Sequence, residues 1–150
     1  MKKPDVIMGD VKEQISVLTQ RTAQLNALRD ELSDLYFSLE EVLQDLGLGV
    51  SAWYVAGRCA VGYSRLGGRW RIIIQDRHDK SDIKDWDQWP CNEAPTYLRI
   101  DAVSWLPMLL ETMVVRSDEM ILKCEKAVTK IKKVLETART ATTTPTTPGP

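Results

Sequence analysis

The sequence predicts an α+β domain in which two long antiparallel helices flank a three-stranded antiparallel β-meander. Three observations carry that expectation. Apolar residues recur at helical spacing near both ends of the chain, and short β-branched and aromatic segments between glycine turns fill the middle. A length of 150 residues suits one core.

The first helix is expected over residues 10–46. Val11, Leu18, Leu25, Leu32, Leu39 and Leu46 recur every seven residues, and Leu28, Leu35 and Val42 complete a coiled-coil stripe from Leu25 onward. Nearer the N-terminus the companion positions become Ile15 and Thr22, a drift expected of a helix that does not keep strict 3.5-residue register. Asp10 with Glu13 three positions later reads as a capping box, and Gly47 and Gly49 mark the stop.

Residues 50–75 form the expected meander, with strands over 50–56, 59–66 and 69–75. Gly57-Arg58 and Gly67-Gly68 suit two-residue hairpin turns. Taking Gly67-Gly68 as the loop sets Leu66 opposite Arg69, Arg65 opposite Trp70, Tyr63 opposite Ile72 and Val61 opposite Ile74. Ala52 and Tyr54 join that face, while Trp53, Gly62 and Ile73 fall on the other. Residues 79–97 read as an exposed loop whose Trp86 and Trp89 either pin it to the core or meet a partner; pinning is the favoured reading.

The second helix is expected over 104–139. Leu106, Leu110, Met113, Ser117, Met120, Cys124, Ala127, Ile131, Val134 and Ala138 alternate by four and three, flanked by Val114, Ile121, Val128 and Leu135. Ser104 serves as N-cap, which places Pro107 in the first turn, where its missing N–H costs nothing. The Thr/Pro-rich stretch 140–150 is expected to be a disordered tail. Eight acids against three bases over 10–46 give −5, and seven bases against five acids over 104–139 give +2. The two helices are therefore expected to return on each other as a hairpin, with a head at about 35–116 and a stalk of 10–34 plus 117–139.

Composition narrows the function. Twenty basic and twenty-one acidic side chains leave a net charge of −1, so no global field draws the chain to nucleic acid or an anionic surface. No apolar run is long enough to span a bilayer, and a cytoplasmic protein with no membrane partner is expected. Cys59, Cys91 and Cys124 are widely spaced and His78 is the only histidine, which argues against a disulfide framework, a zinc site or a histidine-based triad. Asp76, Asp79, Asp82, Asp85 and Asp87 match no calcium loop. No catalytic residue, metal ligand or cofactor is assigned.

The expected function is that of a non-enzymatic interaction or adaptor protein. It would form a homodimer through Val11, Leu18, Leu25, Leu32, Met120, Cys124, Val128, Ile131 and Leu135, and present its β head to a protein partner. The alternative is a nucleic-acid-binding accessory protein. Residues 50–77 hold five arginines, Arg58, Arg65, Arg69, Arg71 and Arg77, against the single acid Asp76, with Trp53, Tyr54, Tyr63 and Trp70 interleaved. Trp53, Arg58, Arg69, Arg71, Trp86 and Trp89 are the candidate partner or nucleic-acid surface. A structural role is favoured, with Arg65 stacked on Trp70 and the aromatics buried against the helices, because an RNA-recognition sheet needs four strands and its own signature.

Overall fold

A computed structural model of the chain describes residues 4–143. The order is α1 (Pro4–Leu46), β1 (Ala52–Ala56), β2 (Cys59–Leu66), β3 (Arg69–Asp76), a 3-10 turn (Ile83–Asp85), β4 (Asp87–Pro90), α2 (Thr96–Val103) and α3 (Leu106–Thr143). The α+β class is as expected, with a long helix on either side of an antiparallel sheet in chain order.

The sheet runs β1-β2-β3-β4 with every neighbouring pair antiparallel. Arg65 pairs with Trp70, Tyr63 with Ile72 and Val61 with Ile74, and Ala52 and Tyr54 extend the same rows, as the turn chemistry requires. Gly67 and Gly68 both hold positive φ, 60° and 81°, which a two-residue turn between right-twisted strands favours and which side chains resist.

Several elements differ from expectation, among them α2, a third helix over Thr96–Val103 where the sequence led to none. The stretch read as a loop contributes a fourth strand, pairing Ile73 with Pro90 and Asp76 with Asp87. Asp-Gln-Trp-Pro has little intrinsic strand character; it pairs because β3 offers an open edge, where proline is tolerated. Helix α1 begins at Pro4, so Gly9 and Asp10 lie inside it rather than at its cap. Ser104 does not cap the last helix: it closes α2, its hydroxyl donating to Asp101 O at 2.9 Å, and α3 starts at Leu106. Thr140–Thr143, expected in the tail, continue α3, with Thr143 Oγ1 donating to Arg139 O at 2.8 Å. The rest of the expected tail, 144–150, lies outside the described residues.

All three helices pack on one face of the sheet. Ala52, Val61, Tyr63, Ile72 and Ile74 meet Tyr36 and Leu43 of α1, Leu98 and Ala102 of α2, and Leu109 and Met113 of α3. The buried Tyr36 hydroxyl donates to Arg99 O at 2.6 Å, tying α1 to α2. Trp70 stacks on Tyr63 with ring centroids 5.5 Å apart. On the opposite face Trp53 lies flat across Gly62, where a Cβ would overlap its ring.

The direction of the helices departs from the expected hairpin. Ile72 N donates to Glu40 Oε2, and Gln44 Nε2 donates to Trp70 O, so α1 advances from 40 to 44 while β3 recedes from 72 to 70. Helix α3 starts after Asp101, whose charge acts on Cys59 at one end of the sheet, and passes Val50 and Ser51 at the other end near Arg116 and Met120. Each helix thus runs against its strand, and β1 and β3 point the same way. Helices α1 and α3 are parallel, not antiparallel, and no stalk forms within the chain. The physical reason is parity: α1 turns back into β1 and three antiparallel pairings follow, so β4 already runs in the direction of α1, and α3, which opposes β1, runs the same way. Residues 4–31 and 117–143 therefore leave the head at opposite ends as two free helical arms, roughly 40 Å each at about 1.5 Å per residue.

Candidate self-association surface

Helix α1 carries two apolar stripes. Leu32, Tyr36, Leu39 and Leu43, spaced four, three and four apart, face the sheet. Leu28, Leu35 and Val42 point away from it and are more than half exposed. Beyond the head it is the sheet-facing stripe, no longer covered, that continues through Leu25, Leu18, Ile15 and Val11, all exposed on the free arm. Helix α3 repeats the design: Leu109 and Met113 are buried, whereas Ile121, Val128 and Leu135 form an exposed seven-residue row beside Met120, Cys124 and Ile131.

Eight of the nine residues expected at an oligomer interface are exposed: Val11, Leu18, Leu25, Met120, Cys124, Val128, Ile131 and Leu135. Leu32 is instead half-buried against the core, because its position in the turn coincides with the head-facing stripe. The two groups are not brought together within the chain, since they sit on arms at opposite ends. Where α3 leaves the head, Leu48 and Val50 join Met120, Ile121, Cys124 and Val128 around an open apolar groove of about 560 Å³. Ile121 was legible as a stripe residue; Leu48 and Val50 become part of the surface only because α3 passes the start of β1.

The basic meander is largely engaged by its own fold. Arg71 Nε lies 2.7 Å from the buried carboxylate of Glu40, an ionic contact too bent to count as a hydrogen bond, and its Nη2 donates to Asn92 Oδ1 at 3.0 Å. Arg58 donates to the buried Asp76 at 3.2 Å while itself exposed. Arg65 donates to Gly68 O, and Arg77 sits 4.4 Å above the Trp86 ring. The cation–π pair is therefore Arg77 with Trp86; the Trp70 ring is occupied by Tyr63 rather than by Arg65. Trp89 packs on the core from β4 and pins its segment there, whereas Trp86 donates Nε1 to Lys80 O at 2.7 Å within the same segment and does not reach the core. Of the six candidate partner residues, Arg69 is exposed and makes no polar interaction among the described residues, and Trp53 is half-buried on the outer face.

At the far end of β3, His78 Nε2 lies 2.5 Å from Asp87 Oδ2, and its main-chain N–H donates to the buried Asp76 Oδ1 at 3.0 Å. The His78–Asp87 contact clasps the end of β3 to β4. Among the described residues no group of three or more His, Cys, Asp or Glu side chains is arranged to hold a metal ion. The Cys91 thiol is buried, and desolvation, followed by the charge of Glu40, pushes its pKa up to about 12, so at neutral pH it stays protonated and unreactive. No helix of the described residues is long and apolar enough to cross a membrane.

Comparison with known protein families, curated proteins and solved structures finds no match. What the fold and surface define is a class: an α+β head carrying two apolar-striped helical arms.

Proposed function

We propose that this is a non-enzymatic interaction protein that forms homodimers through its helical arms and displays the β head to a protein partner. One observation carries the reading: heptad-spaced apolar rows stand exposed along both arms, where their burial would be worth about 1.5–3 kcal/mol per large side chain. Isolated helices of this kind are marginal in water, so a partner is what would hold the arms helical. Against the nucleic-acid reading, the sheet does have four strands, but its aromatic face lies under the helices and Arg58, Arg71 and Arg77 are already paired. Three free cysteines fit the reducing interior of a cell, and a cytoplasmic location is part of the proposal.

Sedimentation equilibrium tests it. The unmutated protein should be a dimer at high micromolar concentration. Leu25→Asp or Ile131→Asp should give a monomer with an unchanged head, because both positions lie off the core. A monomeric unmutated protein would refute the proposal.

A further inference from the structure

The arms cannot pair within one chain, yet they are complementary. Counted over the arms, residues 4–31 carry five acids and three bases, a charge of −2, while residues 117–143 carry six bases and four acids, +2. Pairing like arms would set −2 beside −2 or +2 beside +2, whereas pairing an α1 arm with an α3 arm sets opposite signs together. The spacing agrees: Val11, Leu18 and Leu25 are stepped by seven, and so are Ile121, Val128 and Leu135.

Resting on the self-association proposed above, we infer that two copies exchange arms reciprocally about a twofold axis, the α1 arm of each lying antiparallel along the α3 arm of the other. A twofold axis perpendicular to the helices turns the second copy end over end. It brings the α1 arm of one copy beside the α3 arm of the other at both ends of the pair, so both arm seams close. Because α1 and α3 are parallel within the head, the twofold makes them antiparallel between copies. Leu25, Leu18 and Val11 then lie opposite Ile121, Val128 and Leu135, and Thr22 falls opposite Cys124. The apolar groove beside Leu48 and Val50 lies at the head-proximal end of this seam, on the side of α3 that the incoming α1 row would meet. The hairpin of oppositely charged helices thus forms between chains instead of within one.

The test mixes two variants. Leu18→Asp spoils the α1 row and Val128→Asp the α3 row, and each alone should be monomeric at a concentration where the unmutated protein is dimeric. In a reciprocal exchange a one-to-one mixture regains one undamaged seam, so a mixed dimer should appear; pairing of like arms leaves every seam damaged and no mixed dimer. Independently, Thr22→Cys should cross-link to the native Cys124 of a second copy under mild oxidation, giving a covalent dimer. Cys124 is exposed, while Cys59 is half-buried and Cys91 buried, so the new disulfide can be assigned by peptide mapping. The unmutated protein should not cross-link, because its two Cys124 residues sit at opposite ends of the pair.

Rescue on mixing together with the Thr22–Cys124 link supports the exchange. Failure of either, or a Cys124–Cys124 link, overturns it while leaving self-association standing if the unmutated protein is a dimer. A monomeric unmutated protein removes both.

Discussion

Glu40 offers the sharpest test of how the head is held. Its carboxylate is 2% exposed. Oε2 accepts the Ile72 N–H at 2.9 Å and a weak bond from Cys91 Sγ at 3.8 Å, while Oε1 faces Arg71 Nε at 2.7 Å. Strand β4 ends at Pro90, and although Cys91 N donates to Ile72 O, the Ile72 N–H donates to the Glu40 carboxylate, so a side chain of α1 completes the ladder. Glu40→Ala orphans that N–H and leaves the Arg71 guanidinium, 18% exposed, without its counter-ion. Breaking a buried pair by removing one partner costs about 3–5 kcal/mol, and we expect a loss near the middle of that range. For a chain of this size that is a fall of roughly 10–15 °C in Tm. Glu40→Gln keeps the volume and an acceptor for Ile72 and should cost about half as much. The double variant Glu40→Leu, Arg71→Met removes both charges, and its loss should fall short of the sum of the two single losses by about 1–3 kcal/mol. Urea and thermal unfolding followed by circular dichroism measure all four proteins. A loss below about 1 kcal/mol for Glu40→Ala, or strict additivity in the cycle, would refute the view that this contact fastens α1 to β3.

Two further outcomes are expected. Gly62→Ala places a methyl group where the Trp53 ring lies, so it should cost about 1–3 kcal/mol in urea unfolding, and most of that cost should vanish in a Trp53→Ala background; an unchanged cost there would mean the ring is not what excludes a side chain. Stability should also fall with alkaline pH. The folded pKa of Cys91 is raised to about 12 by burial, so the unfolded chain loses the proton first: stability is flat below about pH 8.5 and then declines, by at most about 1.4 kcal/mol per pH unit from this group. Burial raises Tyr36 as well, which adds to the loss at higher pH. Unfolding at pH 7, 9 and 10 should show a shallower decline in Cys91→Ala; an identical decline would assign the effect elsewhere.

Much of this molecule is determined by short-range pattern. The β1–β3 register follows from Gly67-Gly68 and from alternation, since a slip of one residue would turn Tyr63, Ile72 and Ile74 to the wrong face. The long helices follow from their apolar repeats, and the exposed rows of the candidate interface were readable for the same reason. Other features depend on what a segment meets. Asp87–Pro90 pairs only because β3 presents an open edge, and Leu32 is half-buried, unlike the other residues expected at an interface, because the head claims its side of α1. Glu40 is one of nine acids on α1 until folding places it against Ile72 and Arg71, where water no longer competes for it. The relation between the helices is the largest such decision. Opposite charge suggested a hairpin, but exposed charges attract weakly through water, whereas apolar burial against the sheet is strong and the number of chain reversals is set by topology. Sequence by itself determined which helix faces are apolar; tertiary structure decided that the two exposed rows leave the head at opposite ends, because the direction of a helix depends on every turn that precedes it.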